Sequence, residues 1–277
     1  MMKITILCNN SVKTFSRCIA EHGFSAYLET DDGNYLFDTG AGYGVVENAI
    51  MLNKDLHNIK AIILSHGHSD HCGGLEKVLR YRNAYTPIYA HPGIFSVRYV
   101  QDDHKKIFAG IPARKEFLES LGADFKFSKD FKQISKDIYL TGEVERKSSF
   151  ELLEKDLLSV SSTDRLEIDP ISDDNSLAIN SVNGFILLLG CAHTGLVNIM
   201  NHISEKLCIN SFYAVLGGTH MVQADENRVS KTIEALKEFR VEKIGTCHCT
   251  GPEKEARLKA EFGDKFFFAQ VGTEFIV

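Results

Sequence analysis

Residues 66–71 read His66-Gly67-His68-Ser69-Asp70-His71, which places three imidazoles and one carboxylate within six positions. A helix brings side chains together at a spacing of three or four residues, and this spacing is different, so it predicts a tight loop. The apolar run at 61–64 favours a buried strand before the loop, and residues 73–79 favour a helix after it. A loop with this many donor atoms between a strand and a helix predicts a metal site.

The ligand types narrow the choice of metal. Imidazole favours zinc, and catalytic zinc sites keep one position open for water or substrate. Iron and manganese also accept histidine together with carboxylate, so the ligands alone do not fix the metal. We therefore expect divalent metal ions, with zinc preferred and iron or manganese as alternatives.

The length and charge of the chain limit the classes of protein to which it can belong. Its 277 residues, 44% of them hydrophobic, are enough for one large α/β domain or two small ones. A net charge of −6 is atypical of a general nucleic-acid binder. The first residues do not resemble a signal peptide, and no apolar run approaches the roughly 18 residues of a membrane span. Seven cysteines without a regular framework are typical of reduced thiols, so we expect a cytoplasmic protein without a membrane partner.

Predicted strands and helices alternate along the chain. The first half has helices near 43–53 and 74–81 and strands at 3–8, 24–29, 34–38, 60–64 and 87–90. The second half has strands at 176–182, 184–189, 211–216 and 242–246 and helices near 195–206, 227–239 and 252–261. Two strand-rich halves with helices outside predict an α/β fold, a four-layer αββα sandwich.

Two segments, 94–130 and 145–173, interrupt this alternation. One interpretation makes both of them solvated surface insertions. The other makes them a lid and one wall of a substrate pocket, because loops on a rigid scaffold often carry specificity. We expect one domain over residues 1–277, with both segments inserted near the site.

Further polar residues follow predicted strands elsewhere in the chain. His193, His220 and His248 each lie in such a loop, and ligands gather at strand ends in α/β sheets, so we expect metal ligands there, with His220 the least supported. Asp38 also ends a strand. It either caps the next helix or orients a metal-bound histidine or water, and we favour the second role. Asp174 has weaker support for a similar role.

Four motifs, in this order, resemble the metallo-beta-lactamase superfamily: Phe37-Asp38-Thr39-Gly40, His66 to His71, Ala192-His193-Thr194-Gly195 and the late His248. Segments 190–199, 217–221 and 247–251 resemble one branch, whose members are described as metal-dependent hydrolases or as dihydropterin synthases linked to methanopterin biosynthesis. The resemblance implies the four-layer fold and two metal ions. It assigns the first ion to His66, His68 and His193, and the second ion to Asp70, His71 and His248.

One position departs from the pattern of the superfamily. Its hydrolases often carry an Asp that bridges both ions, after the strand between the third motif and the late histidine. Here Gly217-Gly218 occupies that place. His220 lies two residues later and either substitutes for the bridging ligand or serves the substrate.

The resemblance implies a hydrolase that uses a metal-bound hydroxide on a phosphoester, ester or similar bond, and we rank this function first. The alternative is a dihydropterin synthase-like transfer, in which the metal ions stabilise pyrophosphate while an arylamine displaces it. Asp70 is predicted to ligate and to orient the nucleophile, and His220 to act as a general acid or oxyanion partner. Arg98 and Arg114 are weaker predictions, as ligands of an anionic group on a small-molecule substrate.

The cysteines beside the predicted ligands leave a third class of function open. Cys191, Cys247 and Cys249 could serve a non-catalytic metal-binding or redox-sensing protein, because thiolates bind metals and are oxidised. Along a strand-like segment, however, Cys247 and Cys249 would point away from His248. Buried packing is therefore the favoured interpretation for these cysteines.

Overall fold

The computed structural model describes residues 2–103 and 105–277, and most of its first sheet comes from the N-terminal half. The sheet has seven strands: β1 (Lys3–Cys8), β2 (Ser25–Thr30), β3 (Gly33–Phe37), β4 (Ile59–Ile63), β5 (Thr86–Ala90), β8 (Ala123–Phe127) and β18 (Glu274–Ile276). Their spatial order is β18-β1-β2-β3-β4-β5-β8. Strands β3, β4, β5 and β8 are parallel, so the loops after β3 and β4 leave the same edge of the sheet.

The second sheet mirrors the first and contains seven strands between residues 132 and 268. They are β9 (Lys132–Gln133), β10 (Ile138–Leu140), β13 (Ser176–Ser181), β14 (Gly184–Leu189), β15 (Ala214–Gly218), β16 (Lys243–Cys247) and β17 (Phe266–Phe268), in the order β17-β16-β15-β14-β13-β10-β9. Strands β14 to β17 are parallel. Strands β13 and β14 form a hairpin, as the Asn183-Gly184 turn predicts.

A third, smaller sheet joins the two segments that interrupt the alternation. Strands β6 (Arg98–Asp102) and β7 (Lys105–Phe108) come from the first segment, and β11 (Leu157–Val160) and β12 (Leu166–Ile168) come from the second. They pair in the antiparallel order β12-β11-β6-β7. The two segments therefore form one structure.

Helices cover the outer faces of the two large sheets. The first sheet carries α1 (Val45–Met51), α3 (Leu75–Arg82) and α4 (Lys115–Ser120), and the short helix α2 (Ser69–Cys72) precedes α3. The second sheet carries α5 (Leu196–Leu207), α6 (Glu226–Glu238) and α7 (Pro252–Phe262). Single 3₁₀ turns occur at Leu56–Asn58, Pro92–Phe95, His248–Thr250 and Gly263–Lys265. No helix of the described ranges is both long and apolar enough to cross a bilayer.

The period-two alternation of strand side chains produces three hydrophobic layers. Ile63 of β4 packs between the two sheets with Ile186 and Leu188 of β14. The adjacent Ile62 points outward and packs with residues of α1 and α3. On the other side, Leu187 and Leu189 pack with α5 and α6. The four-layer αββα prediction is therefore confirmed.

The segment 94–130 differs from the prediction. Its residues 123–127 alternate apolar and polar side chains and form β8, which pairs in parallel with β5 at the sheet edge. Helix α4 before it buries Leu118 in the outer core. These residues belong to the main fold, so only the β6–β7 hairpin projects as an insertion. Residues 1 and 104, which lie within the predicted domain, are outside the described ranges.

Candidate metal centre

The predicted ligands converge where the parallel strands of both sheets end. The loops that follow β4, β14, β15 and β16 supply the 66–71 motif, His193, His220 and His248 in turn. Several residues at these ends have left-handed backbone, with φ of 57° at Asp38, 58° at Ala192, 45° at His220 and 52° at His248. Non-glycine residues rarely adopt this conformation, and such strain concentrates at functional sites.

The second half of the 66–71 motif is helical. Ser69–Cys72 forms the short helix α2, because the amides of Cys72 and Gly73 donate to the carbonyls of His68 and Ser69. This corrects the prediction of a tight loop across the whole motif, because residues from Ser69 onward are helical. The helical turn places Asp70 and His71 on one side, and the extended residues before it place His66 and His68 on the other.

The first predicted set of ligands is brought together. One ring nitrogen from each of His66, His68 and His193 lies within 4.8 Å of the other two. Nε2 of His66 lies 3.0 Å from Nδ1 of His68. The His193 side chain is 2% exposed, and its Nε2 has no hydrogen-bond partner among the described residues. A buried nitrogen without a partner is costly, which fits a metal ligand.

The second predicted set also lies together. Oδ2 of Asp70 is 3.1 Å from Nε2 of His248 and 3.7 Å from Nε2 of His71, and those two nitrogens are 3.3 Å apart. His22, which sequence analysis missed, lies 3.4 Å from the same carboxylate oxygen. Its ring is largely exposed, whereas His71 and His248 are buried and Asp70 is 21% exposed, so these three residues form the core of the second set.

The charges of the two sets favour a bound cation. Burial, reinforced by neighbouring imidazoles, holds the pKa of His66 and of His68 well below the usual value. Both rings are therefore neutral, which is the form that binds metal. Burial raises the pKa of Asp70, but His71 and His248 outweigh burial and hold that pKa well below its usual range. Burial lowers the pKa of His71, while Asp70 and Asp38 raise it to about 9, so positive charge is favoured there.

Buried polar partners fix the orientation of the second set. Asp38 Oδ2 lies 2.7 Å from His71 Nδ1, and the same carboxylate accepts from the amide and hydroxyl of Ser65. This arrangement matches the predicted orienting role and leaves Nε2 of His71 facing the site. Nδ1 of His248 lies 2.8 Å from Oδ1 of Asn10, and its amide donates to Asn9. The two asparagines follow β1 directly, which is the strand-end signal that would have identified them.

His220 forms a pair with Glu154, a residue that sequence analysis missed. Oε2 of Glu154 lies 2.8 Å from Nε2 of His220 and 3.5 Å from Nδ1 of His193. The rings of His193 and His220 are tilted by 41° to each other, with centroids 4.1 Å apart. Burial lowers the pKa of His220, but Cys249 and Glu154 raise it to about 10. Glu154 belongs to the polar segment 145–173, where nothing in the local pattern distinguishes it from other surface acids.

Gly217 and Gly218 stand where superfamily hydrolases often carry the bridging Asp, and neither position has room for a side chain. A Cβ on Gly217 would lie 2.1 Å from the carbonyl oxygen of Leu189, and φ there is 108°. A Cβ on Gly218 would lie 2.4 Å from the carbonyl oxygen of Gly190 and 2.6 Å from Sγ of Cys249. Glycine is required at both positions because the ends of β14 and β15 approach closely.

Two thiols also line the pocket. Cys191 Sγ lies 3.0 Å from Nε2 of His71, and Cys249 follows His248 within a 3₁₀ turn. The turn directs the side chain of Cys249 into the pocket, so the expectation that it points away was wrong. Cys247 is still in the strand and packs in the core between the sheets, as expected.

The two predicted substrate arginines do not reach this pocket. Arg98 is 3% exposed, and its guanidinium donates to Asp169 at 2.7 Å and to Asp173 at 2.8 Å. Asp173 also accepts from the amide of Gly67, so Arg98 supports the metal loop indirectly. Arg114 is exposed and lies on a different surface cavity. Neither arginine therefore lines the pocket that holds the predicted ligands. Asp174 accepts from the amide of Thr194, beside His193.

The pocket above the ligands has a volume of about 390 Å³ and mixed walls. The polar floor carries the ligands of both sets. The apolar wall includes residues of the small third sheet, namely Val100, Ile107, Phe108 and Leu157. The segments that interrupt the alternation thus supply one wall.

Comparison with known proteins gives concordant matches. The model of the metallo-beta-lactamase superfamily matches residues 19–145. A curated protein of Methanocaldococcus jannaschii, named 7,8-dihydropterin-6-methyl-4-(beta-D-ribofuranosyl)-aminobenzene-5'-phosphate synthase, is 34% identical over 89% of this chain and 87% of its own length. The solved structure of Tm1679, described as a metal-dependent hydrolase of the beta-lactamase superfamily, is 26% identical with a TM-score of 0.86, covering 100% of this chain and 99% of that one. YhfI from Bacillus subtilis shares the fold alone, with 12% identity and a TM-score of 0.58 over 99% and 98% of the two chains.

Asp38→Asn tests the orienting contact. Asparagine keeps the size of the side chain but loses the negative charge that faces Nδ1 of His71. We expect metal affinity to fall by about 10- to 100-fold. Competition with a chromogenic chelator measures the affinity. Asp225→Asn, at the start of α6, is the matched control, because asparagine caps a helix equally well and affinity should not change. Equal affinity in the Asp38 and Asp225 variants would contradict the assignment.

Arg98→Ala tests the buried ion pairs. The change leaves two buried carboxylates without their cation, so the free energy of unfolding should fall by about 3–5 kcal/mol. Urea unfolding followed by circular dichroism measures this loss. The exposed Arg114→Ala variant should stay within about 0.5 kcal/mol of the parent protein. A similar small effect at Arg98 would refute the structural role.

Proposed function

The chain belongs to the metallo-beta-lactamase superfamily of enzymes, and we propose that it joins the 6-methyl group of a dihydropterin to an arylamine with loss of pyrophosphate. From the sequence, we ranked hydrolysis above this transfer. The synthase named among its relatives matches the alternative instead, at 34% identity over most of both chains. Transfer therefore becomes the first proposal, and hydrolysis the second.

The proposal places two divalent ions, zinc by preference, in the two sets of ligands. His66, His68 and His193 would hold one ion, and Asp70, His71 and His248 would hold the other. When bound, the ions supply positive charge that stabilises pyrophosphate as it leaves. The buried, unpartnered Nε2 of His193 and the ionised Asp70 support this fit.

The observation that carries the proposal is the two-sided pocket. A polar floor of metal ligands faces an apolar wall of Val100, Ile107 and Phe108. A substrate with an aromatic ring and a pyrophosphate group needs both surfaces, because the ring is stabilised by apolar contact and the anion by positive charge. The pterin and the arylamine are planar aromatic groups that would lie against this wall.

Residues of the chain would orient the two reactants. As the C–O bond to pyrophosphate breaks, the electron pair leaves with the oxygen, and the amine nitrogen forms the new C–N bond. The Asp70 carboxylate, which lines the pocket, would accept a hydrogen bond from the attacking amine. Glu154 occupies Nε2 of His220, which leaves the buried Nδ1 of His220 without a partner to donate to the departing oxygen. The proton lost by the new amine passes to water, and His220 regains from water the proton that it gives to the departing pyrophosphate.

Hydrolysis is the second candidate because the solved structure of Tm1679 is described as a metal-dependent hydrolase. The same floor would then act on a phosphoester or a similar bond. The two reactions differ in one requirement, which is the arylamine, and this difference separates them experimentally.

Pyrophosphate release tests the choice directly. We expect release from a dihydropterin pyrophosphate only when an arylamine is also present, with the coupled product detected by mass spectrometry. Removal of metal with a chelator should stop the reaction, and added zinc should restore it. The Asp70→Ala variant should be inactive. Release without arylamine would reject transfer in favour of hydrolysis, and turnover in the metal-free protein would reject the metal centre.

His220→Gln separates a general acid from a metal ligand. Loss of the imidazole should lower kcat by about 10²- to 10⁴-fold, since that is the usual contribution of general acid catalysis. Metal content, measured by elemental analysis, should stay unchanged because neither set of ligands includes His220. His57→Gln, at an exposed position, is the control and should keep full activity. Loss of metal in the His220 variant would make it a ligand instead.

A further inference from the structure

The thiol of Cys191 lies between the two sets of ligands. Its Sγ is 3.0 Å from Nε2 of His71 in the second set. It is also within 4.8 Å of a ring nitrogen of His66, which belongs to the first set. It lies equally close to ring nitrogens of His193, from the first set, and of His220. It also lies within 4.8 Å of a ring nitrogen of His248, from the second set. Groups of three possible ligands whose atoms all lie within 4.8 Å of one another include this thiol with members of both sets. No other thiol in the described ranges is grouped in this way with both sets.

The thiol lies 3.0 Å from Nε2 of His71 and within 4.8 Å of ring nitrogens of the first set, which is close to the spacing of ligands that share an ion. Zinc bonds of about 2.0–2.3 Å in tetrahedral geometry place two ligands of one ion roughly 3.3–3.8 Å apart. A ligand that bridges two ions must lie near both sets at once, and Cys191 does. Thiolate is also among the strongest zinc ligands, together with imidazole.

The local fold holds the thiol in this place. Cys191 follows β14 and is 3% exposed. Its carbonyl oxygen lies 3.6 Å from Sγ of Cys249, and the bare Gly218 lies beside both residues. Since a side chain at Gly218 would collide with Cys249, no carboxylate from β15 can enter the space between the sets.

A second feature of this space fits a metal ligand. His193 is two residues from Cys191 and is almost completely buried, and its Nε2 has no hydrogen-bond partner among the described residues. Cys249 does not share the central position. It clusters with Cys191 and His248 but not with the histidines of the first set.

We propose that the Cys191 thiolate bridges the two metal ions, in the place where a carboxylate would otherwise stand. The inference rests on the proposed metal centre. The bridging thiolate forms one bond to each ion and loses its proton to solvent when the metals bind, so no oxidant or reductant is required.

Cobalt substitution tests the proposal through a signal that does not depend on activity. The wild-type protein loaded with two equivalents of cobalt(II) should show an intense near-ultraviolet charge-transfer band from thiolate to metal. Cys191→Ser should lose this band. Cys249→Ser and the exposed Cys208→Ser should keep it. A band that persists in Cys191→Ser, or no band in the wild type, would overturn the proposal.

Cys191→Asp separates the bridge from a general need for cysteine. We expect this variant to bind two cobalt ions, because a carboxylate can also bridge, yet to lack the charge-transfer band. Binding of fewer than two ions would count against a bridging position at residue 191.

X-ray absorption of the wild-type zinc protein covers the case in which a variant fails to fold. The bridge predicts one sulfur per zinc at about 2.3 Å, and Cys249→Ser should leave that number unchanged. Two zinc ions with half a sulfur each, or with none, would overturn the bridge and leave the metal centre intact. Failure to bind zinc at all would overturn the metal centre as well.

Discussion

The buried carboxylate of Asp38 is the contact on which the site depends. It ends β3, accepts from the amide and hydroxyl of Ser65 at the end of β4, and contacts His71 of the metal motif. A Cβ on Gly190, at the end of β14, would lie 2.3 Å from Oγ of Ser65, so the second sheet also closes over this contact. One carboxylate therefore fixes three loops from both sheets. A buried charge is tolerated only when it is fully paired, which explains why the surrounding donors are so closely arranged.

The two sheets supply the rigidity that the strand-end loops lack. Asp38, Ala192, His220 and His248 all have left-handed backbone, a conformation that costs non-glycine residues free energy. The apolar layers on either side of each strand offset this cost, because the strands are buried on both faces. The same loops carry the predicted ligands, so the packing of both sheets contributes to the positions of these side chains.

The sequence predicted features that depend on local pattern and missed those that depend on distant contacts. The αββα layers, and the convergence of the six predicted histidine and aspartate ligands, follow from strand periodicity and from polar residues at strand ends. Glu154 and Arg98 could not be assigned this way, because their partners lie from 39 to 75 residues away in sequence and leave no trace in the local pattern. Cys249 was misplaced since the strand period was extended two residues too far, into a 3₁₀ turn. Gly218 was noted as a departure, but only the closeness of Gly190 and Cys249 explains it.

The two proposals support each other through the space between the ions. A bridging thiolate from Cys191 would occupy the position where a water molecule has to be activated for hydrolysis between two metals. It would also donate more charge to the ions than a carboxylate does, which makes them weaker activators of water. The ions would keep enough positive charge to stabilise pyrophosphate, whose own charge is larger. The apolar wall of the third sheet would further limit water near the reacting carbon. A floor built this way would favour transfer to an arylamine over transfer to water, so the proposed bridge and the proposed reaction would share one physical cause.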